Sequence, residues 1–146
     1  MTDEDKNHIV GDWDPLVPAG KYEAMFLRHE TYYFSRTFKL ALHFKITGAC
    51  EEHGTILKKH YNVKSINGKP GKSGNFNVGK RSYLLADYMR LFPAAIVKRT
   101  DRIAMSNFKN KLFEIEVRTV KKDYRQGKLD DLFKYSTIES IKGVEV

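Results

Sequence analysis

The chain has 146 residues, 41% of them hydrophobic and 30% charged, with a formal charge of +8. That length supports one domain whose core needs neither disulfides nor metals, and no apolar run reaches membrane-spanning length. The start, MTDEDKNH, is acidic and polar rather than basic and then apolar, and a lone Cys50 cannot close an internal disulfide, so a reducing cytoplasm is the expected compartment.

The charge is uneven. Five acids against Lys6 give residues 1–16 a charge of −4 and leave +12 on the rest. Residues 1–14 read as a flexible acidic leader, with Trp13 able to pin it to the body, and 15–146 as the folded domain. A compact basic body attracts polyanions, of which nucleic acid is the commonest in the cytoplasm.

Pro15 and Pro18-Ala19-Gly20 punctuate the chain before the first regular element. Residues 20–30 read as a strand with Tyr22, Ala24 and Phe26 on one face and Met25 and Leu27 on the other. Residues 31–36, holding Tyr32, Tyr33, Phe34 and Arg36, read as an exposed hairpin link. Next comes the clearest alternation in the chain. Phe38, Leu40, Leu42, Phe44 and Ile46 alternate with Lys39, Ala41, His43, Lys45 and Thr47, a half-buried strand with a basic outer face. A third strand is expected over 55–66, with Leu57, Tyr61 and Val63 inward and Lys58, His60, Asn62 and Lys64 outward.

The stretch NGKPGKSGNFNVGK (67–80) reads as a long flexible loop. Ser82 is placed to N-cap a helix whose apolar positions Leu84, Leu85, Tyr88, Met89, Leu91 and Phe92 recur at helical spacing until Pro93 stops it. Residues 94–110 read as irregular, with one helical turn around 102–108. A fourth strand covers 112–120 with Phe113, Ile115 and Val117 inward, a basic loop covers 121–134, and a last strand covers 135–141.

Three strands, a helix and two strands form the element order of an OB-fold, a five-stranded β-barrel with its helix between strands three and four. The chain is therefore expected to be mainly β. The stretches VPAGKYEA (17–24), FKLALHFKI (38–46), DRIAMSNF (101–108) and LFEIEVRTVKKDYRQGKLDDLFKYSTIE (112–139) resemble small OB-fold proteins of bacterial phages and mobile elements. The resemblance covers most of residues 15–141. It implies similarity to single-stranded-DNA-binding proteins that serve replication or recombination. The sequence ends at Val146 without the Gly-rich, acid-ended stretch of dedicated replication proteins, so a recruiting tail is not expected.

OB barrels take oligonucleotides across strands two and three and the flanking loops. Such a site needs cations for phosphates and flat side chains for unpaired bases. For the phosphates the residues are Arg36, Lys39, Lys45, Lys58, His60, Arg118 and Lys122. For the bases they are Tyr33, Phe34, Phe76 and Tyr124. The expected partner is single-stranded DNA, with RNA as an alternative, and exposed strand edges leave room for a homodimer. A protein-interaction module gripping a host protein is the second reading.

No catalytic, metal or cofactor site is expected. Gly71-Lys72-Ser73 lacks the upstream glycine of a P-loop, since Ile66 stands there, and no helix follows. Cys50, His53 and His60 lack a fourth zinc ligand. Glu114 and Glu116 share a strand face with Arg118, which suits a cross-strand charge network better than a magnesium site.

Overall fold

The computed structural model describes residues 15–79, 81–93, 103–120 and 135–143. The expected leader (1–14) and the fourth-to-fifth-strand loop (121–134) lie outside them. The described residues form strands β1 (Gly20–Phe34), β2 (Thr37–Ile46), β3 (Ile56–Asn62), β4 (Ser65–Asn67), β5 (Gly71–Lys72), β6 (Asn75–Asn77), β7 (Leu112–Val120) and β8 (Tyr135–Gly143). They also form helix α1 (Tyr83–Leu91) and a 3₁₀ turn (Met105–Phe108). The protein is thus mainly β. Among the described residues no helix is long and apolar enough to cross a membrane.

The main sheet is antiparallel in the order β3-β2-β1-β7-β8. It is not closed by a backbone ladder. Its two outer strands nevertheless meet where the Thr137 hydroxyl donates to the Lys58 carbonyl at 3.0 Å. Helix α1 bridges the same two strands. Tyr61 of β3 donates to Asp87 Oδ2 at 2.6 Å, and Arg90 donates to the Ile141 carbonyl of β8 at 2.7 Å. Burial, and then the bond to Asp87, push the Tyr61 phenol up, so it remains a donor.

The helix begins and ends for the local reasons read from its sequence. Ser82 Oγ accepts from the Leu85 N–H at 3.1 Å, and the helix stops before Pro93. Leu84, Leu85 and Tyr88 face the core. There Phe26, Phe44, Phe108 and Phe113 pack edge-on or tilted, with ring centroids 5.3–5.8 Å apart. These offset geometries add to the area that the rings bury. The first described residues, 15–17, are tied to β8 as well. Val17 N–H donates to Ser136 Oγ at 2.8 Å, and Ser136 N–H donates to the Pro15 carbonyl at 3.0 Å.

Three expectations need correction. The first strand does not stop at residue 30 but runs to Phe34, and the hairpin turns on Ser35 and Arg36 alone. Both have positive φ (50° and 61°), as a two-residue type I′ turn requires. Tyr32, Tyr33 and Phe34 are therefore strand residues rather than a loose link.

Second, the inward/outward alternation of β1 is broken. Phe26 pairs with Phe44 but Arg28 with His43, so Leu27 is the extra residue of a bulge. Beyond it the parity reverses, and His29, Thr31 and Tyr33 take the core side while Arg28, Glu30, Tyr32 and Phe34 point outward.

Third, residues 67–79 are not a free loop. β4 and β6 pair, with Ile66 opposite Phe76, and β5 adds to β1 at Glu30 and Thr31. Ser73 N–H donates to the His29 carbonyl at 2.9 Å, His29 Nε2 donates to the Gly74 carbonyl at 2.9 Å, and Gly71 N–H donates to Thr31 Oγ1 at 3.2 Å. Gly74 makes this docking possible, because a Cβ there would stand 2.2 Å from Thr31 Oγ1.

Candidate nucleic-acid interface

Alternation on β2 decides which side chains share the outer face of β1, β2 and β3. Cross-strand neighbours form three rows: Tyr32, Lys39 and Asn62; Glu30, Ala41 and His60; Arg28, His43 and Lys58. Lys45 continues the face beside Met25 and Ile56. Lys39, Lys45, Lys58 and His60 are thus brought together. Arg28 and Tyr32 join them, although sequence reasoning missed both. The bulge at Leu27 turned Arg28 outward, and no local pattern announces a bulge.

The face is less open than its alternation suggests. Ala41 and His43 are only 3% and 4% exposed. His43 Nε2 lies 3.8 Å from Glu30 Oε2, an electrostatic contact longer than a hydrogen bond. Around it the surface is hydrogen-bonded and cationic. Tyr32 Oη and His60 Nδ1 are joined at 2.7 Å, and Lys39 Nζ donates to Asn62 Oδ1. Packing, and then the charges of Lys58, Lys39 and Lys59, hold the His60 imidazole down to about 4. Arg28 is half-buried, and its Nε is enclosed with no acceptor among the described residues.

Charge on this side of the sheet is segregated. Where β1 pairs β7, the outer face carries Glu23 opposite Glu114, and Lys21 opposite Glu116 with its Nζ 3.9 Å from Glu114 Oε1. The cations lie further along the face, Lys45 in register with Met25, Lys58 in the row of Arg28, and Lys39 in register with Tyr32.

The remaining expected residues lie elsewhere. Phe34 shares the outward parity at the hairpin tip, and Arg36 sits exposed in the turn beside it. Tyr33, 58% exposed, points the opposite way and packs on Phe38, ring centroids 5.4 Å apart. Phe76 is half-buried behind the sheet, edge-on to His29 at 5.6 Å. Arg118 is exposed on β7 and lies within electrostatic reach of Lys59, whose side chain takes the opposite face of β3 from Lys58 and His60. Lys122 and Tyr124 lie outside the described residues.

No group of three His, Cys, Asp or Glu comes together to hold a metal among the described residues. Comparison of the chain with protein families, with curated proteins and with solved structures finds no match, so its chemistry is read from its own residues.

Proposed function

We propose that the sheet is an OB barrel and that the protein binds single-stranded DNA, tolerant of sequence, across the outer face of β1–β3. The barrel reading is supported by the helix lying between the third and fourth long strands and by the two outer strands approaching at Thr137 and Lys58. One observation carries the functional reading. Arg28, Lys39, Lys45 and Lys58 share one face of the β1–β3 segment.

Phosphates crossing this face would be neutralised by those four side chains with release of counterions. Tyr32 and Phe34 offer rings on the same side for base stacking. Glu30 shares this face, with its carboxylate largely buried 3.8 Å from the His43 imidazole. Nothing in the face reads bases by an ordered set of donors and acceptors, hence the expected tolerance of sequence.

Fluorescence anisotropy with a labelled oligo(dT) strand tests the reading. Saturable binding that weakens steeply with salt is expected, with weaker binding of a duplex of equal length. Flat anisotropy at low salt overturns it and leaves the protein-contact reading, which the exposed Tyr33, Phe34 and Phe38 of the hairpin tip favour.

A further inference from the structure

Behind the basic face lies a cleft of about 520 Å³, within the range of small-ligand sites. His29 of β1, the β4–β6 hairpin and Met105 of the 3₁₀ turn line it. Its chemistry is selective. Three side-chain amides, Asn67, Asn75 and Asn77, border it, and none has a side-chain hydrogen bond to another described residue. Two flat rings, His29 and Phe76, stand edge to face at 5.6 Å. No Lys, Arg, Asp or Glu lines it. A phosphate would find no cation there and a metal no carboxylate. The lining suits a neutral, flat ligand with both donors and acceptors at its edge.

We propose that this cleft receives one unpaired nucleobase of a strand crossing the basic face, an inference that rests on the function proposed above. An asparagine amide presents a donor and an acceptor side by side, which is the complement of a base edge such as adenine N6 and N7. Phe76 supplies the stacking surface, and the Met105 thioether supplies a polarisable contact to a ring.

The route is built into β1. Ladder pairing with β7 ends at Met25 and pairing with β5 begins at Glu30, so the edge around residues 26–28 is unpaired among the described residues. The bulge residue Leu27 sits in that gap. Arg28 faces the basic surface and the next residue, His29, faces the cleft. A backbone held at Arg28 can therefore turn one base round the edge.

The test compares the full chain binding a dA decamer and an abasic deoxyribose-phosphate decamer at one salt concentration. Two variants are used: Asn75→Ala, at an exposed position, and Phe76→Leu, which keeps an apolar filler. Thermal melts confirm that both fold. The wild type should bind dA about 10-fold or more tightly than the abasic strand, the scale of one stacked base. Each variant should lower the affinity for dA about 10-fold, keep whatever preference stacking on Tyr32 and Phe34 supplies, and bind the abasic strand unchanged. Equal wild-type affinity for the two strands overturns the base site and leaves the phosphate-binding face standing. A preference undiminished in both variants, or an equal loss on both strands, also overturns it. If neither strand binds, the base site and the proposed function fall together.

Discussion

Arg28 and Lys45 offer the sharpest test of the basic face. Replacing both with alanine removes two of the four cations that the register gathers, and it strands no described hydrogen-bond partner, since the Arg28 Nε has none. Each phosphate neutralised on a single strand contributes about −0.7 to the slope of log K against log salt, so four cations give about −2.8 and two about −1.4. Between 50 and 200 mM salt the wild type should lose about 50-fold in affinity and the double variant about 7-fold. Anisotropy titrations with oligo(dT) at four salt concentrations measure both slopes. Lys21→Ala is the control, because Lys21 faces Glu114 at the acidic end of the sheet and should leave the slope unchanged. If the double variant keeps the wild-type slope, or if Lys21→Ala lowers it as much, phosphates are not held on this face.

Three further outcomes are expected. His60 is held at about 4 in the folded chain against an ordinary 6.5, so between these values the unfolded chain takes up a proton that the folded one refuses; stability should fall as pH drops through that window, and melts of His60→Gln should show a weaker decline. A bound phosphate favours the imidazolium, so wild-type affinity for oligo(dT) should rise from pH 7 to pH 5 more than that of His60→Gln, as anisotropy can measure. Gly74→Ala sets a Cβ 2.2 Å from the buried Thr31 Oγ1 and should cost about 2 kcal/mol, a fall in Tm of roughly 4–8 °C, with part recovered in Gly74→Ala/Thr31→Ala. Arg36→Gly relieves a side chain at φ 61° and should raise Tm by roughly 1–3 °C in calorimetry, since a left-handed non-glycine residue costs about 1 kcal/mol or more.

Local chemistry made much of this molecule readable before any coordinates. The alternation over residues 38–46 specifies β2 and its lysine face, because successive side chains on a strand must point opposite ways. Ser82 and Pro93 bracket α1, because a cap and a missing N–H act within one turn. The span of β7, Leu112–Val120, follows in the same way. That Lys39, Lys45, Lys58 and His60 could meet was implied once β2 and β3 were taken as neighbours.

Tertiary structure alone decided the rest. One extra residue at Leu27 sends Arg28 and Tyr32 to the basic face and Tyr33 away from it, and only the pairing with β2 reveals the slip. The Gly- and Lys-rich stretch after β3 looks loose by composition, yet it docks because Gly74 lets its backbone reach Thr31, 43 positions earlier in the chain. His43, read as an outward base, is buried, with Glu30 of the neighbouring strand 3.8 Å away. Side-chain period, caps and turn formers act over a few residues and can be read along the chain. Pairing partners, bulge parity and the fit of one segment on another depend on contacts between distant positions, which exist only after the chain has closed on itself.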